Sequence, residues 1–200
     1  MTRIATLTIG FAAALTLVGT AVAQEKFKAE IRKIDVDSTK TPDFNVSSGV
    51  KLIRSKPEDW IQIDVTFNID SNSKSDFVDN LELKFYVLPK SAQKDFLKLY
   101  STTIKHVDVL KQKDYHSAVY FSPNSLARMY GKTKTTNPND LWVAVEMYAG
   151  GELVGGEVTD GKSSEWWRRK DVPQDTSMLR PKSKTPFSVL FYDAFAETRD

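Results

Sequence analysis

The run from residue 58 to 70 constrains the fold more than any other stretch. Ile61, Ile63, Val65, Phe67 and Ile69 alternate with Gln62, Asp64, Thr66 and Asn68. Successive side chains of an extended chain point to opposite faces, so a period of two places all five apolar residues on one side. A helix would scatter them around its circumference. Only a half-buried antiparallel strand needs one greasy face and one wet face. The same rhythm returns in Leu81, Leu83, Phe85 and Val87, ended by Pro89, and again in Leu141, Val143, Val145 and Met147.

Strand patterns fill much of the remaining chain. Phe27, Ala29 and Ile31 alternate, then Ile34 and Val36 resume one residue out of phase. A β-bulge near Arg32 and Lys33 accommodates that slip. Residues 38–49 read as a loop and 70–76 as a turn. Residues 90–99 suggest a short helix or irregular link. The β-rich stretches 100–110 and 114–121 suggest a hairpin turning at Lys111, Gln112 and Lys113. After Pro123, Leu126 to Tyr130 suggests a short helix, with Asn or Ser as its N-cap and Gly131 as its stop. Gly150-Gly151 separates two strand patterns, because paired glycines tolerate the positive φ of a tight hairpin turn. The charged stretch from Ser163 to Ser183 is expected to wrap the surface. Beyond it, Phe187, Val189 and Phe191 fall on one face of a further predicted strand.

About seven or eight short strands with frequent turn signals predict an all-β fold, an immunoglobulin-like antiparallel β-sandwich with one or two short helices. A partly closed barrel is the alternative. The chain has no cysteine, so the Cys–Trp–Cys frame of antibody domains is missing. The expectation rests on strand number and spacing.

The first 23 residues differ in kind. Arg3 is followed by an uncharged stretch from Ile4 to Val22, closed by Ala21-Val22-Ala23 before Gln24. A charged start, an apolar middle and a small-residue A-x-A site form the layout of a secretory signal peptide, cleaved between Ala23 and Gln24. The other reading is a retained anchor, for which the apolar part is marginal against a span of about 20 residues. Gly10-Phe11 superficially matches a type IV pilin processing site. The leader before it is apolar rather than basic, however, and Leu15 stands where pilins carry Glu. The expected organisation is a signal peptide over 1–23 and one domain over 24–200, extended at its C-terminal end from about residue 161. After cleavage the chain is not an integral membrane protein, and its expected location is the periplasm or cell surface.

Several function classes find no support. With 28 Lys and Arg against 26 Asp and Glu, no basic excess exists to hold nucleic acid. Without cysteine there is no thiol nucleophile and no Cys-ligated metal. His106 and His116, with Asp108 or Asp114, make at best a weak ligand set. The more ordinary reading is two surface or hairpin histidines, so no metal or cofactor is expected. The chain lacks a G-x-S-x-G elbow. Gly150-Gly151 and Gly155-Gly156 flank a strand rather than open a helix, unlike a phosphate cradle. Glu152, Glu157 and Asp160 supply carboxylates, but chance proximity accounts for pairs in so acidic a chain. No catalytic residue is assigned. Trp166-Trp167-Arg168-Arg169 is the most unusual cluster, readable as a contact surface for a protein or a glycan, or as one Trp plugging a core edge beside solvated arginines.

The final segment Thr185-Pro186-Phe187-Ser188-Val189-Leu190-Phe191-Tyr192-Asp193-Ala194-Phe195-Ala196-Glu197 resembles the C-terminal signature of a Verrucomicrobia family. Its described member, from Akkermansia, is an immunoglobulin-like pilus-associated protein. The order of signal peptide, amphipathic first strand, the segment from Phe121-Ser122-Pro123 to Arg128, Tyr130 and Gly131, and a Gly-Gly hairpin is similar too. The resemblance implies an exported sandwich linked to type IV pilus-like machinery, and it carries no catalytic residues. The expected role is therefore non-enzymatic recognition of envelope or pilus-associated proteins through sheet edges and exposed aromatics. A carbohydrate-binding module using Trp166 and Trp167 is the alternative.

Overall fold

The computed structural model describes residues 26–43, 56–131, 137–159 and 165–199. The leader and its cleavage point at Ala23 and Gln24 lie outside the described residues. In chain order the elements are β1 (Phe27–Lys40), β2 (Asp59–Ser71), β3 (Phe77–Val78), β4 (Leu81–Pro89), β5 (Leu99–His106), β6 (Val109–Leu110), β7 (Tyr115–Phe121), α1 (Pro123–Tyr130), β8 (Leu141–Ala149), β9 (Glu152–Val158), β10 (Gln174–Asp175) and β11 (Leu179–Pro181). One sheet has the order β1-β2-β7-β11, the other β10-β5-β4-β8-β9. They pack as an immunoglobulin-like β-sandwich.

The alternating runs form the interior. Ile61, Ile63, Val65, Phe67 and Ile69 of β2 are all buried, and so are Leu81, Leu83, Phe85 and Val87 of β4. Val143, Val145 and Met147 of β8 join them in one cluster. Tyr100 of one sheet meets Phe121 of the other edge-on, with ring centroids 5.5 Å apart. The phase slip in β1 is a register shift between Ile31 and Lys33 in its pairing with β2. Gly150 and Gly151 join β8 to β9 with φ of 58° and 86°, both positive as a two-residue hairpin turn of type I′ requires.

The structure corrects three local expectations. The helix begins earlier than expected: Ser122 is the N-cap, its side chain accepting from the Ser125 N–H, and Pro123 opens the first turn. Proline suits that place because its missing N–H would have no partner there anyway. Residues 100–110 and 114–121 do not form a hairpin. β5 and β7 belong to different sheets, because β6 stops to pair with β3 and carries the chain across the sandwich. Asp108 and Gln112 turn it there with φ of 51° and 59°. Residues 187–192 are not a strand. They form consecutive turns, for reasons that lie in the outer face they cover. Among the described residues, no helix is long and apolar enough to cross a membrane.

Phe85 lies mid-strand in β4, flanked by β5 and β8, and is fully buried. Phe85→Ala should lower unfolding free energy by about 3–5 kcal/mol, read as a reduced midpoint in chemical denaturation with the sheet spectrum retained.

Candidate functional site

A two-sheet sandwich buries its inner faces and leaves its outer faces to water. Here both outer faces carry large apolar residues, and the late chain covers both. On the second sheet the cover is residues 166–168, a single turn of 3-10 helix. Trp166 is 7% exposed. It packs with Leu99 and Ala144 and lies 6.2 Å from Trp142 between ring centroids. Trp167 stands edge-on to it at 5.6 Å.

Glu146 is what holds this turn down. It occupies an outward position of β8, yet the cover buries it. Its Oε1 accepts from Trp167 Nε1 at 3.0 Å and from Arg168 Nε and Nη2 at 3.0 and 2.6 Å. Its Oε2 accepts from the hydroxyls of Tyr86 at 3.1 Å and Tyr148 at 2.8 Å. Burial alone would push the Glu146 carboxyl up. The donors from Trp167, Arg168, Tyr148 and Tyr86 outweigh it and hold the carboxyl below its ordinary value. A buried carboxylate is tolerated only when its lone pairs are occupied in this way. The four candidate contact residues therefore separate. Trp166 is turned inward, because the apolar outer face of β8 needs a cover. Trp167 and Arg168 are partly committed to the clamp. Arg169 points to solvent and pairs with Asp171. The two indoles do not form a shared flat platform.

A groove of about 500 Å3 runs beside the clamp, lined by Leu153, Gly156, Val158, Trp167 and the carboxylates Glu157 and Glu165. Glu157 and Glu152 are exposed, and Asp160 lies outside the described residues.

The first sheet is covered by residues 182–199. Trp60, Ala118 and Tyr120 point outward from β2 and β7 and would be wet without it. Phe187 stacks on Tyr120 at 4.7 Å with rings nearly parallel, and meets Trp60 edge-on at 5.5 Å. Leu190 and Phe195 complete the cluster. A strand over 187–191 would present Phe187, Val189 and Phe191 to one side. Turns instead let Phe187 and Leu190 reach the sheet, while Val189, Phe191 and Tyr192 remain exposed.

The tail then stitches the two sheets together. Ala196 donates to the His116 carbonyl of β7, and Arg199 to the Lys105 carbonyl of β5. His106, far from lying at the surface, is 1% exposed. Its Nδ1 faces the carbonyls of Glu197 at 3.1 Å and Ala196 at 3.3 Å. Carbonyls only accept, so the proton sits on Nδ1 and Nε2 accepts from the Ser117 hydroxyl at 2.9 Å. Burial pushes the His106 imidazole down to about 4. The Ser–His pair has a nucleophile's spacing, but it lies beneath the tail and is oriented by backbone carbonyls. It works as a pin.

His116 lies on the outer face instead, its Nδ1 donating to Asp64 at 2.6 Å. Asp114 pairs with Arg32. The two histidines thus serve different partners, although both line a cavity of about 120 Å3 under the tail, with Lys182 and Tyr192. Among the described residues, no three His, Cys, Asp or Glu side chains are placed to hold a metal ion.

Sequence reasoning missed Glu146, which looks like any outward polar residue of an alternating strand. The one available signal was its counterpart: Trp167 and Arg168 bring buried-edge donors that need an acceptor.

The architecture defines an immunoglobulin-like sandwich with both outer faces capped by its own C-terminal chain. A protein-family model matches residues 20–200, and the chain belongs to that family, the Akkermansia-type immunoglobulin-like family that the segment from Thr185 to Glu197 suggested. Among solved structures, the chain is similar to a protein from Akkermansia muciniphila. Their structures agree with a TM-score of 0.76 at 22% identity, over 88% of this chain and 95% of that one. At that identity the likeness establishes the fold alone. No curated protein matches the sequence.

Two measurements probe these pins. Glu146→Gln places an amide among donors and should cost about 1–3 kcal/mol, with tryptophan emission shifting to the red as Trp166 and Trp167 loosen. Because the folded Glu146 pKa is lowered, its stabilisation is present above the unfolded value and fades as pH falls through the folded one; the variant should lack that acid-linked part. His106 is also lowered, so the unfolded chain binds more protons between about pH 6.5 and pH 4. Stability should fall across that window by on the order of 3 kcal/mol. His106→Gln should flatten the slope in melts taken from pH 7 to 4, and equal slopes in both proteins would refute the pin.

Proposed function

We propose that the protein is an exported, non-enzymatic component of the bacterial cell envelope. It acts by recognising other proteins, as an accessory or structural partner of type IV pilus-like machinery, in the periplasm or at the cell surface. The signal-peptide layout of residues 1–23 supports export. Membership of the Akkermansia-type family supports the pilus link, through its described member.

The observation that carries the reading is the exposed trio Val189, Phe191 and Tyr192 on an otherwise capped face. The cover spends Phe187, Leu190 and Phe195 on the sheet beneath and leaves these three to solvent. Aromatic side chains presented on a fixed loop suit protein recognition, where Trp, Tyr and Arg dominate binding energy. The groups with the most chemical potential, Glu146 and the His106–Ser117 pair, are consumed in holding the covers. That supports a role other than catalysis.

Crosslinking in intact cells followed by capture of the chain should enrich pilus-type envelope proteins, and Phe191→Asp should reduce that enrichment several-fold. Recovery unaffected by the substitution would remove the trio from the recognition surface. A tryptophan fluorescence change on titration with mucin-type glycans, lost in Trp167→Ala, would favour the carbohydrate-binding alternative instead.

A further inference from the structure

His106 and His116 are the chain's two histidines, and both lie under the same short strip. Phe195 bridges to His116 of β7, and Thr198 to His106 of β5. The sheet order leaves both strands partly open at one edge. β5 pairs with β4 along one side, but on the other β10 reaches only Leu99 and Tyr100. β7 pairs with β2 along one side, but on the other β11 reaches only Val119 to Phe121. The strip from Phe195 to Arg199 lies against the remaining edge of each, one from each sheet, and closes that seam of the sandwich. Its ladder is short. Val107 donates to the Glu197 carbonyl, Ala196 to the His116 carbonyl and Arg199 to the Lys105 carbonyl.

Little apolar burial holds the strip. Ala196 is buried and Phe195 half-buried, whereas Glu197, Thr198 and Arg199 are exposed. A segment with so few buried apolar contacts opens more readily than the core beneath it. His106 is its deepest attachment, with Nδ1 donating to the Ala196 and Glu197 carbonyls. The ring's other neighbours include Leu81, its pairing partner on β4, and the Phe67 ring of β2 at 5.6 Å. The charged groups around it are engaged elsewhere or face water. Lys105 pairs with Glu82, and His116 with Asp64. Lys182 takes the Ser188 carbonyl and the Phe195 ring face. Asp79 accepts from the exposed Asp108 backbone, and the Glu197 side chain is exposed. A second proton, on Nε2, therefore places a cation among a hydroxyl, two carbonyls and apolar side chains. Opening the strip hydrates that cation.

We propose that the strip from Phe195 to Arg199 is an acid-opened seal: protonation of His106 lifts it from the seam between β5 and β7 while the sandwich beneath stays folded. Lifting it bares the Val107 N–H and the Lys105 and His116 carbonyls on the two edges. Burial holds the imidazole at about 4 when the strip is closed, against about 6.5 when it is hydrated. The closed strip thus keeps its full stability above about pH 6.5 and loses it as pH falls toward 4. The device goes beyond the recognition role above and acts whichever partner the protein meets.

Amide hydrogen exchange on the full chain between pH 7 and pH 4, corrected for the intrinsic pH dependence of exchange, tests it. Opening at Val107, Ala196 and Arg199 should rise by up to about 300-fold, starting near pH 6.5. Val65 of β2 and Val145 of β8 should stay slower than the strip at every pH. His106→Gln should make strip opening nearly independent of pH, whereas His116→Gln should keep the acid response. Strip and core amides that exchange together would mean that only global unfolding occurs, and would overturn the proposal. So would strip protection unchanged across the range, an acid response that survives His106→Gln, or one lost in His116→Gln.

Discussion

Everything in this fold follows from the fact that its strands are apolar on more than one face. Burying the inner residues of β2, β4 and β8 between two sheets satisfies the period-two pattern. It does nothing for Trp60, Ala118 and Tyr120 on one outer face, or for Tyr86, Leu88, Trp142 and Ala144 on the other. The hydrophobic effect scales with apolar area removed from water, at about 25 cal/mol per Å2. Rings of this size left wet would be a substantial loss. The described chain beyond β9, residues 165–199, therefore has one dominant physical task, to lie over both faces in turn.

Irregular chain cannot cover a sheet through a backbone ladder of its own, so it needs side-chain pins. The two pins use opposite electrostatic solutions. Glu146 remains charged under its cover because five donor contacts replace the water it loses. His106 remains neutral because burial disfavours its charged form, while two carbonyls and one hydroxyl select a single tautomer. Both devices lose strength in acid, the first as the carboxylate is neutralised and the second as the imidazole is charged. The covers on the two faces are thus linked to the same variable. β10 and β11 tie them at the middle, pairing with β5 in one sheet and β7 in the other.

The inner half of the structure was legible because it is local and periodic. Ile61 to Ile69, Leu81 to Val87, the bulge at Arg32 and the Gly150-Gly151 turn each carry their own signal within a few residues. What was illegible is the pairing of distant groups. Nothing near Glu146 announces a cover that arrives some twenty residues later, and His106 reads as a solvent residue until the tail is placed on it. The expected strand over 187–191 failed for a related reason. Its period-two pattern is genuine, but stacking Phe187 on Tyr120 and seating Leu190 and Phe195 against the same sheet outweigh strand propensity. For the tryptophan pair the reading of one indole at the core edge fits Trp166, while its neighbour and Arg168 reach the carboxylate.

Edges and faces offer different routes to recognition, and this chain treats them differently. β1 is an edge strand, but it carries a bulge, and Arg32, Lys33, Asp35 and Asp37 line it. Charge and irregularity of that kind discourage strand addition. Its N-terminal half is also shadowed by β9, where a Cβ at Gly155 would touch Ala29. β10 and β11 end the two sheets elsewhere and span only two and three residues, while β9, the remaining edge, lies against β1. A partner adding a strand would meet a bulged, charged edge at β1 and very short ones at β10 and β11. The faces are the reverse case. Their covers are pinned, their exposed apolar atoms sit on turns with fixed geometry, and they present shape rather than unpaired backbone. What this architecture presents to its surroundings is therefore shape on its faces, over sheets whose backbone is already paired.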